Sequence, residues 1–197
     1  MIYLVRHGQT EFNVERRIQG NGDSNLTALG REQARRMGLT LGQLIGDEEA
    51  TIFASPLGRT RATASILAEA AGIAENRIQF DDDLKEIHMG VWEGLTPRQI
   101  ALDWPDFPSR DALEWHFTSP DGERFEGLSA RLARALDRVR AHPAPHRIIV
   151  SHGVSGRLLR GIHGSLSRHE TLSQDIPQDA LFVLEDAGIR RVECVDS

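Results

Sequence analysis

Three short apolar runs in this chain each stop at the same kind of chemistry. Residues 2–5 run into Arg6-His7-Gly8, residues 51–54 into Ser55-Pro56-Leu57-Gly58-Arg59, and residues 147–150 into Ser151-His152-Gly153. Helical patterns follow them. Thr27 reads as an N-cap ahead of helical apolar spacing over residues 29–44, and Gly46 with Asp47 ends it. Ser55 reads as a cap with Pro56 at the first helical position and Gly72 as the stop. Residues 126–141 put Leu128, Leu132, Leu136 and Val139 on one face, and residues 153–162 complete a last strand–helix unit. Residues 78–80 form a further short strand. Residues 181–184 and 189–194 flank Asp186-Ala187-Gly188 and read as a hairpin. Alternation of this kind predicts an α/β fold: a three-layer α/β/α sandwich with a mostly parallel sheet and an antiparallel edge.

The residues at the strand ends suit phosphate chemistry. A buried strand fixes the backbone before His7, and Gly8 permits a tight turn after it. Arg6 brings a planar fork of N–H donors matched to phosphoryl oxygens. Taken alone, an Arg-His-Gly at a strand end is more often structural than catalytic. Arginine, histidine and glycine chemistry at three strand ends, with a carboxylate-bearing stretch at Glu86 between them, shifts the balance.

The motifs in combination are Arg-His-Gly-x-Thr at 6–10, Asn13, Arg16-Arg17-Ile18-Gln19-Gly20 and Leu26-Thr27-x-x-Gly30. They continue with Ser55-Pro56-Leu57-x-Arg59-x-x-x-Thr63-Ala64, Leu84-x-Glu86 and Ser151-His152-Gly153. In this combination the chain resembles the histidine phosphatase superfamily, in its phosphoglycerate mutase-like branch. The resemblance covers residues 3–94 and 147–161 and is weak over 95–146. It implies a phosphoglycerate mutase-like fold over residues 1–197 as a single domain, with a lid-like insertion at about residues 95–125.

The resemblance also implies roles. His7 is the expected nucleophile, forming a phosphohistidine, with one ring nitrogen held as N–H by a main-chain carbonyl, that of Gly8. Arg6, Arg59 and His152 are expected to bind and polarise the phosphoryl group. Glu86 is expected to protonate the departing alkoxide and then take a proton from water. Asn13, Gln19 and Gly20 match positions that touch phosphate or substrate. The helix opening at Gly153 would aim free N–H groups at the same place. Arg61 competes with Arg59, and Asp81, Asp82, Asp83 and Glu93 compete with Glu86; motif register favours Arg59 and Glu86. His88, His116, His163 and His169 share no motif and read as solvated or structural. Trp92 and Met89 read as packing near the pocket mouth, Arg157 and Arg160 as helix residues outside it, and Cys194 as an apolar filler.

Composition excludes several classes. A net charge of −6 over 197 residues argues against a general nucleic-acid binder. No run of about 18 apolar residues predicts a membrane span. The start at Met1-Ile2-Tyr3 reads directly into a strand without a signal peptide, so the expected location is the cytoplasm. The single cysteine rules out an intrachain disulfide. No metal site and no cofactor are expected. The expected partner is a small phosphorylated metabolite; dimers occur among relatives, and nothing in the sequence demands one.

The aromatic-rich stretch 95–125, with Trp104, Phe107, Trp115 and Phe117, reads either as an irregular insertion packed by its own aromatics or as a lid that sets specificity. Phosphoglycerate mutases of this family carry an arginine directly after the catalytic glutamate, a tyrosine two positions further on, and an asparagine after the second His-Gly. Here these are Ile87, Met89 and Val154. An apolar wall cannot pair a carboxylate. The expected function is therefore a metal-independent phosphomonoesterase. A phosphoglycerate mutase and an inactive phospho-ligand binding module are the alternatives.

Overall fold

The computed structural model describes residues 1–186 and 188–195. Its strands are β1 (Ile2–Arg6), β2 (Ala50–Ala54), β3 (Ile78–Phe80), β4 (His146–Ser151), β5 (Ala180–Glu185) and β6 (Gly188–Glu193). Its helices are α1 (Glu11–Val14), α2 (Ala28–Ile45), α3 (Gly58–Ala71), α4 (Pro97–Asp103), α5 (Phe125–Ala141), α6 (Gly153–Gly164) and α7 (Arg168–Leu172). The strands form one six-stranded sheet in the order β3-β2-β4-β1-β5-β6. The first four run parallel, and β5 and β6 add the antiparallel edge. The hairpin appears as expected, although Ala187 in its turn lies outside the described residues.

The two-residue period of the strands sorts their side chains into two cores. Ile2 and Leu4 of β1 join Phe53, Ile149 and Phe182 on one face, beneath Leu128, Leu132 and Leu136 of α5 and Leu158 of α6. Tyr3 and Val5 join Ile52, Ile148 and Val150 on the other, beneath Met37 and Leu41 of α2 and Leu67 of α3. Each fully buried leucine contributes roughly 1.5–3 kcal/mol relative to exposure. The middle strands are covered on both sides, which explains their continuous apolar runs.

Helix boundaries follow local signals with one exception. Thr27 caps α2 by accepting from Gly30 N, and Gly46 closes that helix with φ +62°. Gly72 closes α3 in the left-handed region, where a side chain would be strained. Ser55, however, does not cap α3, and Pro56 is not its first residue. The helix begins at Gly58, and the carboxylate of Asp23 accepts from the Gly58 and Arg59 amides. A distant carboxylate thus meets the free N–H groups, and the Ser55 hydroxyl is spent elsewhere, on His152.

The stretch 95–125 folds over the first core. Its aromatics pack on one another and on Trp92: the Phe107 and Trp115 rings lie 5.5 Å apart, and fully buried Trp92 is 5.2 Å from Phe107 and 6.0 Å from Trp104. Among the described residues no helix is long and apolar enough to cross a membrane.

Candidate active site

Sheet register builds the centre of the site. Arg6 on β1 lies opposite Ser151 on β4, so the residues that follow, His7 and His152, leave the sheet side by side. His7 N donates to Ser151 O at 3.0 Å, and the two imidazole centroids lie 5.3 Å apart. Both rings are buried. Burial pushes both well below the ordinary histidine pKa, and Arg59 and Arg6 push in the same direction. The rings are therefore neutral at neutral pH.

The tautomer of His7 is set by its neighbour. Nδ1 lies 2.8 Å from Gly8 O and so carries the hydrogen, leaving the Nε2 lone pair free. Gly8 is required here by space. A Cβ on it would stand 2.1 Å from Gly30 O, and one on Gly30 would stand 2.0 Å from Gln9 O. His152 directs Nε2 to the Ser55 hydroxyl at 2.8 Å, and its Nδ1 has no partner among the described residues.

Two guanidinium groups flank the imidazoles. Arg59 is buried and donates from Nη2 to Gly20 O at 2.7 Å, and from Nη1 to Gly22 O at 2.7 Å and Asp23 Oδ1 at 3.3 Å. Arg6 donates from Nη1 to Ile176 O at 2.8 Å, and burial lowers its pKa to about 10. In both, Nε is buried without a partner among the described residues. Orphaned buried donors are costly unless a ligand meets them. Glu86 faces these cations. Its carboxylate accepts from Val154 N at 3.0 Å, and from Ser155 N and Ser155 Oγ at 2.9 Å each. This corrects one expectation: those α6 amides hold Glu86 and are not free for a phosphoryl group. A Cβ at Gly153 would lie 3.7 Å from both Arg6 Nε and Glu86 Oε2, so glycine keeps the space between acid and cation open.

These groups border a cavity of about 390 Å³. Of the residues expected at the site, Arg6, His7, Asn13, Gln19, Gly20, Arg59, Glu86 and Gly153 line it. His152 is packed against His7 behind the wall. The expected apolar wall is present in Ile87, Met89 and Val154, but it is not complete: Arg17 and Arg157 also line the cavity. Arg157 therefore does not lie outside the pocket. It stands four residues after Gly153 on α6, about one turn further along the same face, and that spacing was the signal for it. Arg160 does stay outside this cavity, bonded to Asp175 over the Phe182 ring. Of its two expected roles, His116 takes the structural one rather than the solvated one. It lines the cavity, stacked on Trp115 at 3.9 Å, and burial lowers its pKa to about 4. No local pattern announces it, because it reaches the site through the fold of the insertion. Of the tryptophans, Trp115 lines the cavity, whereas Trp92 and Trp104 pack beneath it.

The profile of the Histidine phosphatase superfamily (branch 1) matches residues 2–186. The chain belongs to this superfamily. "Probable phosphoglycerate mutase GpmB" of Escherichia coli O1:K1 / APEC is 40% identical over 158 residues, covering 78% of this chain and 70% of that protein. Among solved structures, Bacillus stearothermophilus YhfR is 32% identical at a TM-score of 0.78, covering 98% of this chain and 95% of that one. A mycobacterial glucosyl-3-phosphoglycerate phosphatase, Rv2419c, solved with VO3, is 27% identical at a TM-score of 0.76, covering 98% and 97%. Membership of this superfamily of phosphatases and mutases supports an enzyme of phosphoryl transfer, and the phosphoglycerate mutase-like fold is shared.

Proposed function

We propose that this histidine phosphatase is a metal-independent phosphomonoesterase working through a phosphohistidine on a small phosphorylated metabolite. The observation that carries the reading is that Arg6 and Arg59, each with a buried Nε that no described residue meets, line one cavity with His7, whose Nε2 is unprotonated. A phosphoryl group brings the oxygens these donors lack and the phosphorus this lone pair can attack. His7 Nε2 forms a bond to phosphorus as the ester P–O bond breaks. Glu86, in its acid form, gives its proton to the leaving oxygen. The carboxylate left behind takes a proton from water as that water attacks the phosphohistidine, releasing phosphate and freeing His7. The hydrogen bonds from Val154 and Ser155 aim the carboxyl throughout. Residues 112–116, carried on the insertion, form the outer wall and act as the lid.

Mutase activity is the second reading, and a specific observation favours it. Arg17 and Arg157 supply the cations that a glycerate carboxylate needs. Against it, the residues that follow Glu86 on the wall, Ile87 and Met89, are apolar and buried. A catalytically inactive module is disfavoured because His7 and Glu86 are both present and converge. The test is phosphate release from a panel of phosphomonoesters, 3-phosphoglycerate included, with a chelator present. Release that survives the chelator supports the phosphatase. Conversion between 3- and 2-phosphoglycerate that needs a bisphosphoglycerate primer, without release, overturns it.

A further inference from the structure

His7 is the last residue that the β1–β4 ladder reaches, and the next two peptide groups are held by side chains. In the first, His7 O accepts from Gln178 Nε2 at 3.0 Å, and Gly8 N donates to Thr63 Oγ1 at 3.1 Å. In the second, Gly8 O accepts from His7 Nδ1 at 2.8 Å, and Gln9 N donates to Gln33 Oε1 at 2.8 Å. All four polar atoms of the two groups are spent. They hinge on a glycine, the residue with the freest backbone.

The directions of these bonds are unambiguous. Thr63 gives its own hydrogen to Arg59 O at 2.8 Å, so towards Gly8 it can only accept. Gln178 Nε2 lies between two acceptors, His7 O and Asn13 Oδ1 at 3.3 Å, which identifies its NH2 end. Asn13 Oδ1 also accepts from Thr10 N at 3.1 Å, so the Asn13 amide is fixed with its oxygen towards the protein. Gln178 sits on residues 173–179, the loop between α7 and β5. The same loop gives Ile176 O to Arg6 and Gln174 O to Arg157 at 2.7 Å.

The orientation of Gly8 C=O decides which nitrogen of His7 carries hydrogen. With the oxygen towards Nδ1, Nε2 keeps its lone pair. Were the peptide turned so that N–H faced Nδ1, the hydrogen would move to Nε2, and the ring could not attack. We infer that Gln178 is a positioning residue that supports the His7 tautomer by clamping the first peptide group, against which the second, anchored by Gln33 at Gln9 N, is set, and that it orients Asn13 with the same NH2. The inference rests on His7 as nucleophile.

The test uses Gln178→Glu, near-isosteric but without a donor when ionised, and Gln178→Leu, without a donor at any pH. Gln178→Glu should lose kcat on the order of 100-fold with KM little changed. The ratio of its kcat to that of the wild type should rise as pH falls from about 8 to about 5.5, because a protonated carboxyl donates again. Gln178→Leu should lose kcat with no such recovery. Imidazole ¹⁵N spectra, with His7 assigned by His7→Gln, should show Nδ1–H in the wild type and a shift towards Nε2–H in both variants. Wild-type kcat in both variants overturns the inference. So does a loss of kcat with the wild-type tautomer intact, which would mark Gln178 as merely structural. The spectra need no turnover. A wild type that hydrolyses nothing defeats the phosphatase reading, while the tautomer comparison still decides the role of Gln178.

Discussion

Arg59→Lys separates the two tasks of one guanidinium. Arg59 spends Nη1 and Nη2 on the carbonyls of Gly22 and Gly20 and on Asp23, lines the cavity, and keeps an Nε that no described residue meets. A lysine keeps the charge but is a point donor that cannot serve the loop and the substrate in one geometry. Losing a charge-assisted hydrogen bond to the phosphoryl group costs about 1.5–3 kcal/mol, or about 10- to 100-fold in kcat/KM. Leaving one of the two glycine carbonyls unmet costs about 1–3 kcal/mol of stability. For a chain of this size that lowers Tm by about 3–10 °C. Initial rates on the best ester and a thermal melt measure the two effects separately. A melt that falls while kcat/KM stays within about threefold of the wild type would refute the assignment of Nε to the substrate.

Four further outcomes are expected. His7→Ala should abolish turnover, and residual activity within about tenfold of the wild type would remove His7 as nucleophile. Glu86→Gln should slow esters with poor leaving groups more than activated aryl esters; equal slowing would argue against its acting as the acid. His7, His152 and His116 have folded pKa values lowered from 6.5, so the unfolded chain binds more protons below that pH, and their buried neutral state favours folding only above it. By pH ~5.5 each group should have lost on the order of 1 kcal/mol of that advantage, seen as a melt that falls with pH; a Tm unchanged between pH ~7.5 and ~5.5 would contradict their burial as neutral rings. Arg157→Met should raise KM for esters with a carboxylated leaving group by about tenfold while sparing glycerol phosphate; an equal rise on both would show that Arg157 does not read the leaving group.

Most of the fold was legible because it rests on local rules. The apolar runs are strands because the sheet is covered on both faces, and Thr27, Gly46 and Gly72 mark helix ends by their own chemistry. The nucleophile loop was legible for a related reason: Arg6, His7 and Gly8 are adjacent, so a strand end implies their geometry. What escaped depends on distance along the chain. Asp23 displaces Ser55 as the cap of α3 only because the loop before α2 folds back onto it. His116 and Gln178 reach the centre through irregular segments that carry no period to read. Arg157 could have been found, since its spacing from Gly153 is that of one helical turn.

The placement of β1 has a consequence for how this enzyme fails. The strand that delivers His7 lies inside the sheet, between β4 and β5, whereas the outer wall of the cavity hangs on the short turns of residues 95–125. The backbone amides of β1 can exchange with solvent only when the whole sheet opens, and those of the insertion need only local opening. On warming, the insertion should therefore loosen before the strand that carries His7. Under the proposed function, discrimination between esters should fade first and phosphoryl transfer only when the sheet itself comes apart.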